Sequence, residues 1–254
     1  MIPFVLLIAV ICFTIYFLSG KEKNKIIEPV FINTSLLDKN VLFYSKLIPE
    51  EKKQFEKNVA DFLADVKITG IDTNVEELDR ILIAAAAVIP IFHFKQWKYY
   101  NLQEVLLYSD AINMNFESAG NVDRNILGMV GSGVYEGKMF LSKHSLHEGF
   151  DNKMDKSNTA IHEFVHLIDK SDGDTDGVPA ILLDKKFVLP WIELIQKQMQ
   201  QIANNKSDIN PYATMNKAEF LSVTAEYFFE RPDLLEKNHP ELYAMLKQMF
   251  EPAL

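Results

Sequence analysis

Cysteine is nearly missing from this 254-residue chain, with Cys12 as its sole representative. A single thiol excludes an intrachain disulfide framework, a Cys-x-x-Cys zinc site and an iron–sulfur cluster. Cys12 lies within an apolar run, the wrong surroundings for a thiol nucleophile. Basic charge is also short: 26 Lys and Arg stand against 35 Asp and Glu, for a formal net charge of -9. A duplex-binding protein needs a basic face to displace counterions, so no direct nucleic-acid partner is expected. Repeats and low-complexity tracts are lacking. The stretch Gly128-Met129-Val130-Gly131-Ser132-Gly133 has no Gly-Lys-Ser/Thr after it and reads as turn glycines between strands, not as a phosphate loop. Asp172 to Gly177 imitates the first half of a calcium loop, but the acid required at position twelve falls on Leu183; a flexible acidic loop is expected over a calcium site.

Hydrophobic residues make up 48% and charged residues 24%, a globular balance for one or two domains. One long apolar run stands out. Met1 to Gly20 carries no charged side chain, and as a helix it would reach roughly the 30 Å of a hydrocarbon core. A cleaved signal peptide would want Lys or Arg before the run and small residues at the cut, yet Phe17-Leu18-Ser19-Gly20 closes it; Ile11 before Cys12 disfavours a lipoprotein. Lys21, Lys23 and Lys25 follow, so the run reads as a membrane anchor with the body on the cytoplasmic side. The expected organisation is an anchor over 1–20, a connector over 21–40 and one domain over 41–254.

Within that domain, Pro49-Glu50-Glu51 reads as a helix start, with Phe55, Val59, Phe62, Leu63 and Val66 on one face. Asn74 is placed to cap a helix through Ile81 to Ala87 that stops near Pro90. Val105–Tyr108 and Lys138–Ser142 read as strands. Further helices are expected from Asp155 or Ser157 to about Lys170, from Pro190 with Trp191, Leu194, Ile195, Met199 and Ile202 on one face, over Lys217–Phe229 with Asn216 as cap, and over Pro240–Phe250. Few strands and many helices, not regularly alternating, give an α+β class.

Chemistry is concentrated in Thr159-Ala160-Ile161-His162-Glu163-Phe164-Val165-His166-Leu167-Ile168-Asp169, which contains His-Glu-x-x-His. Random order of this composition yields the pattern roughly 0.01 times per chain, so coincidence is a poor account. On a helix, positions i and i+4 share a face, which sets the imidazoles of His162 and His166 beside one ion. Glu163, rotated about 100° from His162, stands next to the metal as a base for its water. Catalytic zinc takes three protein ligands. With no further histidine motif downstream, the third is expected to be a carboxylate, and Glu219 and Glu226, seven apart on one helix face, are both candidates. The other can orient a histidine. Asp169 is a candidate for holding the His166 ring or, equally, an exposed residue at the helix end.

His162 to Asp169, Asp176-Gly177-Val178-Pro179, Asn210 to Phe220 and Glu226-Tyr227-Phe228-Phe229 together resemble the Mlc titration factor A (MtfA) family of glucose-regulated zinc metallopeptidases. Ile48-Pro49-Glu50-Glu51 and Gly137 to Ser142 fit as well, so the similarity runs from about Ile48 to the C-terminus; the C-terminal part is also similar to the catalytic domain of anthrax lethal factor. The resemblance implies a zincin-like domain with a small mixed sheet on several helices and one Zn2+ ion held gluzincin-fashion by His162, His166 and Glu219. It implies Glu163 as general base and Tyr212 as hydrogen-bond donor to the developing oxyanion. Family members are soluble and bind a DNA-binding repressor of sugar uptake; the N-terminal anchor is where this sequence departs from them.

The reaction expected is hydrolysis of a peptide or protein substrate, with Lys138–Ser142 presenting a free edge to an extended peptide. The competing reading is a zinc-containing regulatory protein that sequesters a partner such as a transcriptional repressor. The remaining histidines carry blander expectations: His144 and His147, with Glu148, on a loop; His93, among Phe92, Phe94 and Trp97, packed or interfacial; His239 on the surface.

Overall fold

The computed structural model describes residues 31–94, 97–110, 127–152 and 155–252. The proposed anchor, residues 1–20, lies outside them. No helix among the described residues is long and apolar enough to cross a membrane. The elements in order are α1 (Thr34–Asn40), α2 (Leu42–Ser45), α3 (Pro49–Asp65), β1 (Lys67–Ile71), α4 (Glu77–Val88), β2 (Glu104–Tyr108), β3 (Gly128–Val130), β4 (Lys138–Ser142), α5 (Lys143–Asp151), α6 (Thr159–Asp169), α7 (Lys185–Ala203), α8 (Lys217–Glu230), α9 (Pro232–Asn238) and α10 (Pro240–Phe250). This is the mixed α+β class, a small sheet among many helices. Residues 34–40, inside the stretch read as connector, are helical, and Leu37 is fully buried in the core.

The sheet order is β1-β2-β4-β3. β1, β2 and β4 run parallel, and β3 closes the edge antiparallel to β4, pairing Gly128 with Leu141 and Val130 with Met139. This corrects two expectations. Gly128–Val130 is a strand, not a turn, because a glycine backbone still offers its full ladder of hydrogen bonds. β4 is interior, so the free edge next to it belongs to β3.

α4 is apolar on every side from Ile81 to Val88, and all eight residues are buried. Such a helix belongs inside the core rather than on it. Its start is Glu76, not Asn74: the Asp79 carboxylate accepts the Glu76 N–H at 2.7 Å, while the Asn74 carbonyl accepts from Lys143 Nζ. α7 begins five residues before Pro190. Pro190 and the neighbouring residues from Asp184 to Lys186 are exposed, so the carbonyl that the proline leaves unbonded can turn to water. His144, His147 and Glu148 sit on helix α5, not on a loop, and His147 Nε2 lies 2.6 Å from Oδ1 of the fully buried Asp79.

His239 is buried rather than superficial, because Asp208 gathers it in: Asp208 takes His239 Nε2 at 2.6 Å, Lys156 Nζ at 2.7 Å, Tyr227 OH at 2.8 Å and Asn238 Nδ2 at 3.0 Å. His93 is exposed, with its ring edge-on to that of Phe92. The site's foundation is α6, seated on the core by Ile161, Phe164, Val165 and Ile168, all at most 1% exposed. The Phe164 ring packs 5.6 Å from Phe62 and 5.2 Å from Tyr99.

Candidate metal centre

Two asparagine caps aim the chemistry. Asn158 Oδ1 accepts the Ile161 N–H at 3.1 Å and starts α6. Asn216 Oδ1 accepts the Glu219 N–H at 2.9 Å and starts α8 with Glu219 in its first turn. The two helices then lie against each other, and α8 turns a stripe of polar residues toward α6: Glu219, Ser222, Glu226 and Glu230, spaced three or four apart.

Each member of that stripe meets a polar group of α6 or its cap. Glu219 Oε2 is 3.0 Å from His162 Nε2 and 3.4 Å from His166 Nε2. Glu226 Oε1 is 2.7 Å from His162 Nδ1, and its Oε2 accepts the Asn158 N–H at 2.7 Å and the Ser157 hydroxyl at 3.1 Å. Ser222 Oγ is 3.2 Å from His166 Nδ1. Asn158 Nδ2 donates to Glu230 Oε1 at 3.0 Å and to the Gly149 carbonyl. Of the two glutamates left open by spacing, Glu219 therefore faces both Nε2 atoms while Glu226 sits behind one ring.

The two Nε2 atoms are 3.0 Å apart, and the three candidate donor atoms of His162, His166 and Glu219 all lie within 4.8 Å of one another. A tetrahedral ion with bonds of about 2.0–2.2 Å separates its ligand atoms by roughly 3.3–3.6 Å. The observed spacings come within a few tenths of an ångström of that, and the donors are two imidazoles and a carboxylate, so the residues present fit such an ion. Electrostatics agree. Burial opposes the charged forms of both His162 and Glu219, yet the carboxylates of Glu219 and Glu226 hold the His162 imidazole well above the ordinary histidine range, and the two imidazoles hold Glu219 well below the carboxylate range. The pocket favours a positive charge between its acids.

Glu163 is 5% exposed, and burial pushes its carboxyl up, against the pull of His162 and His166. It lines a cleft of about 1250 Å³ together with His162, His166 and Glu219. The cleft is also lined by β3 and its continuation to Ser132, by Tyr212 and by Met215. The Tyr212 ring is 6.2 Å from that of His162. Burial, then Glu219 and Glu163, push the Tyr212 phenol up, so it keeps its proton. Asp169 fills neither role expected of it. It is buried, not exposed, and its Oδ2 accepts the Gly177 N–H at 2.8 Å rather than reaching His166. In the acidic loop, Asp172 accepts the N–H groups of Asp174 and Ala180, and Asp176 that of Val178; these carboxylates tie the loop to its own backbone.

Asn158, Ser222 and Glu230 were not singled out from sequence. The signal was present as the Glu219-Ser222-Glu226-Glu230 spacing on a mainly apolar helix, a polar stripe that calls for a polar neighbour.

The family model of the glucose-regulated metallo-peptidase M90 matches residues 23–251. The chain belongs to this metallopeptidase family. Its relatives include an uncharacterized protein of Synechocystis, 25% identical over 246 residues, covering 92% of this chain and 89% of the relative. They also include the Mlc titration factor A proteins of Pectobacterium atrosepticum, 26% identical over 179 residues and 66% of each chain, and of Escherichia coli, 26% identical over 197 residues, 73% of this chain and 72% of the relative. The M90 match embraces the whole candidate centre, and membership in a metallopeptidase family implies a metal ion, for which His162, His166 and Glu219 are the candidate ligands.

Proposed function

We propose that this M90 chain is a zinc peptidase: His162, His166 and Glu219 hold one Zn2+, Glu163 is the general base, and Tyr212 supports the charge that develops on the substrate carbonyl. The observation that carries the reading is the convergence of three donor atoms within 4.8 Å in the same cleft that Glu163 lines. When bound, the zinc ion polarises the peptide carbonyl and makes water acidic enough to attack at neutral pH.

The chain's own groups do the rest. The Glu226 carboxylate accepts the proton of His162 Nδ1, which fixes the tautomer and turns the Nε2 lone pair into the site. Ser222 Oγ sits in the corresponding place behind His166. Glu163 takes a proton from the attacking water on a carboxylate oxygen and passes it to the leaving nitrogen. The Tyr212 hydroxyl donates a hydrogen bond to the carbonyl oxygen as its charge grows, a contribution of about 3–4 kcal/mol for donors of this kind. The outer edge of β3, on the cleft wall, is the place for an extended peptide to add as a further strand, reading backbone rather than sequence.

Glu163→Gln tests the assignment. The variant keeps fold and zinc stoichiometry and loses about 10²–10⁴ in kcat on a mixed peptide library. Full activity in that variant would refute the base assignment. The name Mlc titration factor A, carried by the Pectobacterium and Escherichia relatives, supports a second reading in which this chain also binds a protein regulator. Binding that a chelator abolishes, with no peptide ever hydrolysed, favours that reading alone. The uncharged run Met1–Gly20 and the lysines after it support an anchored protein with its cleft on the cytoplasmic side; digestion of the body by protease added outside intact cells would overturn that placement.

A further inference from the structure

Glu163 has no hydrogen-bond partner among the described residues, so packing sets the rotamer of its carboxylate. The surface that packs on it is the backbone of β3. A Cβ built on Gly128 would lie 2.7 Å from Glu163 Cγ, 2.8 Å from Glu163 Oε1 and 2.8 Å from Thr159 Cγ2. Gly128 is not among the glycines with positive φ, so its backbone conformation is open to any L residue. The need for glycine here is a need for space.

The strand cannot easily retreat to make that space. Its register with β4 is bracketed by Ser142 N–H to the Leu127 carbonyl and Gly131 N–H to the Lys138 carbonyl, each at 2.8 Å. Lys170 Nζ, just past the end of α6, donates to the Gly131 carbonyl at 3.1 Å and ties strand to helix. Thr159, whose Cγ2 the same Cβ would meet, stands partly buried in the first turn of α6 and has a single side-chain torsion. The Glu163 side chain has three, and the cleft is the open side into which it can swing.

We infer that Gly128 is the positioning residue for the base: the missing side chain on β3 is the space that holds the Glu163 carboxylate at the reacting centre. This rests on the reading of Glu163 as general base. A methyl group at 128 displaces the carboxylate while costing the fold little, because side-chain torsions of Glu163 and Thr159 absorb the clashes. A misplacement of about 1 Å in a catalytic group can lower turnover about 10²-fold.

The test is Gly128→Ala in the full chain, beside Glu163→Gln, with a mixed peptide library as substrate, zinc content by atomic absorption, thermal melting, and a crystal structure of the alanine variant. The expected result is a kcat about tenfold to a hundredfold lower, KM within about twofold, one zinc per chain, an unchanged melting temperature, and a displaced Glu163 carboxylate. Wild-type kcat, or a Glu163 carboxylate in its original place, overturns the inference. So does a loss of activity that comes with lost zinc or a lowered melting temperature, since that marks a structural role. If Glu163→Gln is inactive and Gly128→Ala fully active, the positioning inference alone falls. If Glu163→Gln is fully active, the base assignment falls with it. If no peptide is cleaved by any form, the crystal structure still decides whether Gly128 sets the position of Glu163.

Discussion

Glu226→Gln offers the sharpest test of the layer behind the candidate centre. The wild-type carboxylate accepts from His162 Nδ1 at 2.7 Å with one oxygen and from the Asn158 N–H at 2.7 Å and the Ser157 hydroxyl at 3.1 Å with the other. Glutamine keeps the shape but turns one of the two oxygens into an NH2 group. With Nε2 held by a metal ion, either His162 Nδ1–H or the Asn158 N–H must then face a donor, and leaving one buried donor unpaired costs about 1–3 kcal/mol. In the chelator-treated protein the ring is free to take the other tautomer, accepting from the NH2 group at Nδ1 and donating to Glu219 from Nε2, so the cost falls on metal binding. Loss of the carboxylate behind a ligating histidine lowers metal affinity by about 10–100-fold, or about 1.4–2.7 kcal/mol. Competition with a chromogenic chelator measures this directly. The reasoning is refuted if Glu226→Gln binds zinc within about twofold of wild type, because His162 would then need no partner on Nδ1.

Three further outcomes follow from other contacts. Phe164→Ala empties a fully buried position under the site helix between Phe62 and Tyr99, and denaturant titration should show a loss of about 3–5 kcal/mol. Burial opposes ionisation of Asp208, but Lys156, His239, Tyr227 and Asn238 hold its carboxyl well below the usual range. Its contribution is therefore complete above the unfolded aspartate pKa of about 4 and fades as pH falls below it, so the stability gap between wild type and Asp208→Asn should narrow on acidification from about pH 4. Asp169 has the opposite sign: burial pushes its carboxyl up to about 6 despite the Gly177 hydrogen bond. Its protonated form is the favoured one, so melting curves should shift in favour of Asp169→Asn over wild type as pH rises from about 4 through about 6. A gap that stays constant with pH would refute either assignment.

The parts of the molecule that could be read in advance are those where local rules act alone. Pro49 with two acids behind it begins α3, Asn216 begins α8, and α10 spans Pro240–Phe250 as its pattern indicates. These helix starts are legible because a cap and a dipole involve neighbours in sequence; the starts expected at Asn74 and Pro190 lie instead at Glu76 and Lys185. The failures share a cause as well. Gly128–Val130 looked like turn because its strand character comes from β4, and Lys138–Ser142 looked like an edge because strand order is a property of the sheet. α5 was overlooked because it holds to the core through Asp79, 68 residues upstream of His147.

The candidate site divides along the same line. Sequence determined that two imidazoles and an acid would project from one helix with a fixed angular offset, since i and i+4 share a face in any α-helix. Spacing could not rank Glu219 against Glu226, because seven residues put both on one face of α8, and it was the family resemblance that pointed to Glu219. Only the tertiary structure decided that α8 lies against α6 with Glu219 at the two Nε2 atoms and Glu226 behind Nδ1. It alone brought a glycine of a distant strand against Glu163. Those placements depend on how deeply two helices and a strand pack into one core, a quantity that no local pattern encodes.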